Sequence, residues 1–233
     1  MNKNIKTIIL GIGAGVAIAI GGLLNITAKA VIDNPEIGKL VGSLLFPIGL
    51  TMVCYFGLNL FTGKIGYLLD NDRKYLLFLL YVYIGNIIGS LIFGFISYFI
   101  FEDVSTIYTV GTTIASNKAS IINFGAGTKL FAGSIICGAL VYVAVFCYKT
   151  FKKHAFKVIG IFIPIALFVY FGFDHCVANM FYFTFGMSFG CWKSYLNILI
   201  ATIGNSLGAI AVNEAVVIYR KYNANKKQYE IKE

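Results

Sequence analysis

The chain has 233 residues, of which 58% are hydrophobic and 12% are charged, and its mean hydropathy is +0.81. A soluble domain of this size needs more polar surface, so the composition excludes an ordinary soluble enzyme or binding domain. The formal net charge is +9. Its basic residues lie between long uncharged stretches and form no single patch, which argues against a nucleic-acid partner.

Six uncharged stretches follow one another along the chain, and each is near or above the roughly 20 residues that cross a bilayer as a helix. They are 7–27, 40–63, 75–101, 130–148, 158–192 (interrupted only by Asp174 and His175) and 194–213. The pattern predicts an all-α integral membrane protein with six transmembrane helices. Residues 1–220 form one polytopic domain, and residues 221–233 form a charged cytoplasmic tail.

The basic residues are distributed unequally between the two sides of the predicted membrane domain. Of the 19 Lys and Arg residues, 14 fall on the side of the two termini. Because short cytoplasmic loops are enriched in Lys and Arg, both termini are predicted to lie in the cytoplasm. The remaining excess positive charge is suited to contact with anionic lipid.

The second and fifth stretches share the same order of features. Each contains a proline, Pro47 or Pro164, and then a glycine that opens a polar interruption. The interruptions are "GLNLFTG" (57–63) and "GFDHCVANM" (172–180). Backbone that leaves a helix inside a bilayer must be buried in protein or line a cavity, so both helices are predicted to be broken at these points.

The third and sixth stretches share the sequence Ile-Gly-Asn-x-x-Gly, at Asn86 and at Asn205. Three crossings followed by three similar crossings predict an inverted repeat with a site near the membrane midplane. The N-termini of broken helices carry partial positive charge, which favours an anionic ligand. The alternative is a chance likeness among glycine-rich helices, with Asn86 and Asn205 serving only to pack helices together.

Five segments together carry a resemblance to a known family. They are "LGIGAGVAIAIGGLL" (10–24), "GLNLFTG", "YIGNIIG" (83–89), "GFDHCVANM" and "IGNSLG" (203–208). Over residues 5–220 the chain resembles the formate/nitrite transporter family, and the hydrosulfide-channel branch is one possible place for it. The resemblance implies an aquaporin-like fold, a homopentamer with one pore per protomer, no cofactor and no metal. It also implies transport of small monovalent anions such as formate, nitrite or hydrosulfide across the bacterial inner membrane.

The resemblance also implies roles for individual residues. The pore selectivity residues are His175, Thr62 and Asn179. The apolar constrictions are formed by Phe46, Leu50, Leu60, Phe61 and Phe168. Lys118, Lys129 and Lys157 attract the anion, and Asn59 and Asp174 support the two breaks.

Two positions depart from the family pattern, since Asn59 and Asp174 both stand where Glu is usual. Asn59 loses a charge, whereas Asp174 keeps it on a shorter side chain. Asp174 either pairs with a lysine at a helix end or adjusts His175 directly. Thr62 either caps a half-helix or faces the pore, and Lys157 either anchors a helix end or steers the anion.

An ionisable residue inside a membrane is a candidate functional residue because its desolvation is costly. Burial favours the neutral form of His175, whose N–H could bond to a passing anion beside Thr62. We hypothesise that the anion takes a proton near the midplane, because a neutral acid crosses an apolar constriction more cheaply than an ion does. Whether His175 supplies this proton or only orients one from bulk water stays open.

Other functional classes require sequence features of their own. A water or glycerol channel would carry paired Asn-Pro-Ala loops, but the prolines are Pro35, Pro47 and Pro164. An ammonium transporter would need paired pore histidines, but one of the two histidines, His154, lies in a charged loop. A membrane enzyme would need a nucleophile with its base or clustered ligands. A proton-coupled symporter of the same family remains an alternative, because it shares the motifs of a channel.

Overall fold

The computed structural model describes residues 2–121 and 123–230, with their side chains except at residue 105 and residues 225–230. Every element in these residues is helical. The α-helices are α1 Lys3–Val31, α2 Pro35–Leu45, α3 Pro47–Tyr55, α4 Phe61–Lys64, α5 Lys74–Phe101, α6 Ser105–Ala119, α7 Phe124–Thr150, α8 His154–Phe171, α9 Cys176–Phe185 and α10 Trp192–Glu230. Two short 3₁₀ turns cover Ile65–Tyr67 and Ser188–Gly190.

Six helical segments among the described residues are long and apolar enough to cross a membrane. They are α1, the continuous segment Pro35–Tyr55 formed by α2 and α3, α5, α7, α8 and Trp192–Ala224 of α10. The predicted six crossings are therefore confirmed. The helix α10 continues through the predicted tail to Glu230, and residues 231–233 lie outside the described residues.

The two halves of the chain pack in matching ways. Helix α1 lies along α5 in the first half, and α7 lies along α10 in the second. Small residues permit this close approach. A Cβ on Gly15 would lie 2.9 Å from the backbone nitrogen of Ser90, and a Cβ on Gly138 would lie 2.5 Å from the Cα of Asn205. The predicted three-plus-three arrangement is thus visible in the helix contacts.

Both predicted helix breaks are present, and each begins at a glycine. Gly57 and Gly172 have positive φ angles of 65° and 75°, a left-handed conformation that glycine adopts without a steric penalty. The residue after each glycine donates its N–H five residues back, from Leu58 to Val53 and from Phe173 to Phe168, at 2.9 Å in both cases. A bond of this kind, from the residue after a left-handed glycine to the fifth residue before it, is typical of helices that end at a glycine.

The side chain of Asn86 holds the first break in place. Its Oδ1 accepts a hydrogen bond from the N–H of Phe61 at 2.8 Å, at the start of α4. Its Nδ2 donates to the carbonyl oxygens of Gly11 and Asn59, both at 2.9 Å. One amide of α5 therefore ties α1 to the irregular backbone beside α4.

The side chain of Asn205 repeats this arrangement in the second half. Its Oδ1 accepts from the N–H of Cys176 at 2.9 Å, at the start of α9. Its Nδ2 donates to the carbonyl oxygens of Ser134 at 2.8 Å and Asp174 at 2.9 Å. The two asparagines thus pair with backbone N–H and C=O groups at both breaks. They do more than pack helices together, which is the role that their motif alone suggests.

One helix was not expected from the sequence. Helix α6 occupies Ser105–Ala119, between the third and fourth crossings, and packs against α9, α1 and α10. Its sequence is polar and its N-cap, Val104, makes no side-chain capping bond, so the usual start signal is missing. This helix positions Lys118 over the second break.

Candidate functional site

His175 lies at the start of α9 and is 2% exposed. Its Nδ1 accepts a hydrogen bond from the backbone N–H of Ala178 at 3.2 Å, so the imidazole caps the half-helix. Because an accepting nitrogen carries no hydrogen, the proton of the neutral ring lies on Nε2. The second break therefore presents a neutral histidine whose Nε2–H is a donor.

Thr62 of α4 accepts this hydrogen bond. The distance between His175 Nε2 and Thr62 Oγ1 is 2.8 Å, and Thr62 is fully buried. With Nε2 donating, the hydroxyl hydrogen of Thr62 is free to bond to another group. The structure thus brings two of the three predicted selectivity residues, one from each half of the repeat, into direct and buried contact.

Asp174 pairs with Lys118 of α6. The Lys118 Nζ lies 2.8 Å from Asp174 Oδ1, with both side chains largely buried. The same Oδ1 accepts from Asn179 Nδ2 at 2.7 Å, and Asn179 also donates to Asn197 Oδ1 at 2.7 Å. The structure therefore ties Asp174 to a helix-end lysine, and the Asn179 amide nitrogen to Asp174 and Asn197.

Aromatic rings close around His175. The ring centroids of Phe46 and Phe168 lie 5.6 Å apart in an edge-to-face arrangement. Phe168 also stacks on the His175 ring, with centroids 5.9 Å apart. Leu50 is fully packed, and Phe61 packs edge-on against Tyr83 at 4.8 Å.

Two adjoining spaces open on one side of this cluster. The larger, here called the Lys118 vestibule, has a volume of about 520 Å³ and is lined by Lys29, Lys118 and Lys129 among others. The smaller, here called the His175 cavity, has a volume of about 60 Å³ and is lined by Phe46, Phe168 and His175 among others. Both are lined by Lys29 and Lys118, so they meet at these lysines.

A third space opens on the opposite side. This Lys149 cavity has a volume of about 150 Å³ and is lined by Leu60, Lys64 and Lys149 among others. It shares no lining residue with the His175 cavity. Phe46, Leu60 and Phe168 are buried between the two cavities, so the described residues close the path from one side to the other.

One protein family matches almost the whole chain. Residues 2–219 match the formate/nitrite transporter family. The chain belongs to the formate/nitrite transporter family. Members of this family move solutes across membranes, so the chain is a multi-pass membrane transport protein and not an enzyme.

Several relatives and solved structures are similar to this transporter. A probable formate transporter of Methanothermobacter thermautotrophicus is 31% identical, covering 87% of this chain and 84% of that one. The formate channel FocA of Haemophilus influenzae is 31% identical, covering 76% and 65%. A pentameric formate channel with formate bound superposes with a TM-score of 0.75 at 25% identity, covering 95% of this chain and 97% of that one.

A second solved structure supports the fold. An ion channel of the same family superposes with a TM-score of 0.81 at 22% identity, covering 94% of this chain and 91% of that one. Together with the six crossings, the two superpositions confirm the predicted fold class, an all-α membrane protein built like the channels of this family.

Of the other four predicted site residues of this transporter, two line a cavity and two do not. Lys129 lines the Lys118 vestibule, whereas Lys157 lies 4.9 Å from the Tyr148 ring centroid and lines none of the three spaces. Leu60 lines the Lys149 cavity. Asn59 contributes its backbone carbonyl to Asn86, and no hydrogen bond of its side chain is found among the described residues.

The sequence predicts that the N-termini of the half-helices α4 and α9 attract the anion, but several of their N–H groups are already paired within the transporter. The first N–H of α4 is bonded to Asn86, and the Cys176 and Ala178 N–H groups of α9 are bonded to side chains. These groups are unavailable to an anion. Since α4 has only four residues, its dipole is also small, and the lysines are the main source of positive charge.

Three lysines and two polar residues near the path were not predicted. Lys29 lines the vestibule, Lys64 and Lys149 line the opposite cavity, and Asn25 and Tyr182 line the His175 cavity. Lys29 and Lys149 each sit at the end of a long apolar stretch, as anchoring lysines commonly do. Nothing in their immediate sequence separates a lysine that lines a cavity from one that faces lipid headgroups.

Proposed function

We propose that this protein is a channel for small monovalent anions of weak acids, with formate the first candidate and nitrite and hydrosulfide in the same class. The observation that carries the proposal is the buried contact between His175 Nε2 and Thr62 Oγ1 at 2.8 Å. It lies between a lysine-lined vestibule and an apolar closure, where selection between solutes is most effective.

The lysines of the vestibule concentrate the anion. Lys29 and Lys129 line this space, and the charge of Lys118 is compensated by Asp174 at 2.8 Å. Clefts lined by one sign of charge raise the local concentration of counter-ions. The role of Lys118 is therefore to hold the second break, while Lys29 and Lys129 attract the anion.

The closure favours a neutral species. Phe46, Phe168 and Leu60 separate the spaces on the two sides, and transfer of an ion into such surroundings is far more costly than transfer of a neutral molecule. The anion combines with one proton and crosses as the neutral acid. His175 and Thr62 bond to the solute as it passes the closure.

The choice of formate rests on the relatives. The Methanothermobacter relative is called a probable formate transporter, and the superposed pentameric channel has formate bound. From the same comparison we propose a homopentamer. The charge asymmetry of the loops supports cytoplasmic termini, and we place the protein in a bacterial inner membrane.

Flux into proteoliposomes tests this proposal. Formate, nitrite, hydrosulfide, chloride and glycerol are offered at equal gradients and at two pH values. We expect weak-acid flux that rises as the pH falls, little chloride flux, and loss of the pH response in His175→Phe. The matched control is His154→Phe, since His154 is exposed and lies near Tyr55.

The outcomes separate the functional classes. Flux of glycerol without flux of any anion would leave the fold correct and the proposed function wrong. A His175→Phe protein with unchanged flux and unchanged pH response would remove His175 from the selective step.

A further inference from the structure

Two lysines share the Lys149 cavity without an acid between them. Lys64 at the end of α4 and Lys149 near the end of α7 both line this space, whose volume is about 150 Å³. Among the described residues no Asp or Glu lines it, and neither lysine forms an ion pair. Asp70, which follows α4 along the chain, accepts from Asn213 Nδ2 at 2.8 Å and lies outside the lining. The cavity therefore has two positive charges that no acid in its lining balances.

Two tyrosines hold these lysines in place. Lys149 Nζ donates to Tyr67 Oη at 3.1 Å and lies 4.1 Å from the centroid of the same ring. Tyr75 Oη donates to the backbone carbonyl of Lys64 at 2.9 Å. An ammonium group has three N–H donors, so the contact with Tyr67 fixes Lys149 and leaves N–H groups for a ligand.

The positive charge on the other side of the closure is spread over a larger space. Three lysines line the Lys118 vestibule, but Asp174 also lines it, and its volume is about 520 Å³. The attraction between opposite charges grows as their separation falls. A compact anion of high charge is therefore bound more strongly in the Lys149 cavity than in the vestibule.

We infer that the Lys149 cavity binds a small oxyanion with two negative charges, such as sulfate or hydrogen phosphate, and that this dianion blocks the path of formate. A dianion balances both lysines, whereas formate leaves one of them without a counter-charge. The volume of about 150 Å³ is roughly ten times that needed for one water molecule, so a tetrahedral oxyanion fits. The blocking step rests on the proposed function, whereas the binding site does not.

A dianion in this cavity cannot continue through the closure. Leu60 lines the cavity and is 2% exposed, so it closes the inner end. One added proton leaves sulfate or hydrogen phosphate charged, and transfer of a charged species into apolar surroundings is costly. The dianion therefore stays at the entrance and competes with formate. In the proposed orientation this entrance faces the cytoplasm.

Titration of the purified protein in detergent tests the site without any flux. Sulfate is titrated by calorimetry in chloride buffer at constant ionic strength, and methanesulfonate serves as a probe of similar shape with one charge. We expect sulfate to bind about tenfold more tightly, because its second charge lies close to two lysines. Inorganic phosphate at pH 8 is the second dianion, and its affinity relative to sulfate shows which of the two is preferred.

Four variants locate the site. Lys149→Gln and Lys64→Gln each remove one charge and should weaken sulfate binding about tenfold. Lys74→Gln is the matched control, since Lys74 is exposed at the start of α5 and lines none of the three spaces. Lys129→Gln removes a charge from the Lys118 vestibule and should leave the sulfate affinity unchanged. Assembly of each variant is checked by size-exclusion chromatography.

Formate flux in proteoliposomes tests the block. Sulfate on both sides of the membrane should lower formate flux through the wild type at concentrations near its dissociation constant. Lys149→Gln should need about tenfold more sulfate for the same inhibition, and methanesulfonate should inhibit less than sulfate at equal concentration.

The outcomes decide separate questions. No formate flux through the wild type would reject the proposed function, and the titration would still decide the site. Equal affinities of sulfate and methanesulfonate, or wild-type sulfate affinity in assembled Lys149→Gln and Lys64→Gln, would overturn the site. If neither variant assembles, the comparison of the two anions on the wild type decides. Sulfate binding that leaves formate flux unchanged would overturn the block.

Discussion

At the residue scale, His175 has two partners that explain its position. It accepts from the Ala178 N–H and contacts Thr62 Oγ1, so one side chain caps a half-helix and joins the two halves of the chain. These two hydrogen bonds fix the orientation of the His175 imidazole ring. That orientation is what a selective donor needs in a membrane interior.

The role of Thr62 can be separated from its size. Thr62→Val keeps the shape but leaves His175 Nε2–H without an acceptor, which costs about 1–3 kcal/mol for a buried group. We expect formate flux to fall about tenfold in Thr62→Val and to stay near the wild-type rate in Thr62→Ser. Equal flux in both variants, measured in proteoliposomes, would show that the hydroxyl does not take part.

Asn205 should be among the residues whose loss is most damaging to stability. Asn205→Ala leaves the Cys176 N–H and the carbonyls of Ser134 and Asp174 without this partner, at a cost of about 2–5 kcal/mol. Thermal unfolding in detergent should shift strongly downward, whereas Asn4→Ala at an exposed site should not. A shift equal to that of Asn4→Ala would contradict the bracing role.

Sequence reasoning finds residues in motifs more easily than residues that the fold brings together. His175 could be singled out as an ionisable residue inside a membrane stretch, and Thr62 by the resemblance of its segment to the family pattern. Asn86 and Asn205 also stand in a shared motif, but their bonds to the breaks depend on the approach of three separate elements. Asn25 is one polar residue in a long apolar helix, and its place beside the His175 cavity depends on how α1 packs against the other helices.

At the element scale, the helix breaks depend on two glycines with left-handed backbone. Gly172 has a φ of 75°, and a Cβ there would meet nothing within 4 Å. Gly172→Ala should therefore cost about 1–2 kcal/mol through backbone strain alone. The matched control is Gly190→Ala, which also meets nothing within 4 Å and has no positive φ.

The measurement is thermal unfolding of both variants in detergent. Gly172→Ala should unfold at a lower temperature than the wild type, and Gly190→Ala close to it. Equal unfolding temperatures would mean that the second break tolerates a different backbone conformation.

The six crossings were predictable because an uncharged stretch near 20 residues long has few other stable conformations. The breaks were predictable because each pairs a glycine with polar residues inside an apolar stretch. Helix α6 was not, since its polar sequence carries neither a membrane signal nor a capping residue. Its stability comes from packing on α1, α9 and α10, which is tertiary information.

At the scale of the whole molecule, the proposed orientation follows from the distribution of basic residues. Asp103 and Asp72 are exposed in connections on opposite sides of the membrane domain. In intact cells a membrane-impermeant maleimide should label Asp103→Cys and not Asp72→Cys, relative to the wild-type chain. Labelling of Asp72→Cys alone would reverse the orientation and place the Lys118 vestibule on the cytoplasmic side.

The closed path between the two lysine-lined sides is the feature on which the mechanism depends. The His175 cavity and the Lys149 cavity share no lining residue, and Phe46, Phe168 and Leu60 lie at the closure. An ion would lose its hydration there, whereas a neutral acid would lose much less. The proposed mechanism therefore requires that each anion crosses together with one proton.

The most direct test is the response of formate flux to membrane potential. Proteoliposomes containing the protein receive a potassium gradient, and valinomycin sets the potential while formate entry and internal pH are recorded. We expect formate entry to acidify the interior and not to change with the potential, because the transferred species is neutral. Formate entry that follows the potential without acidification would contradict this mechanism and would show that the bare anion crosses.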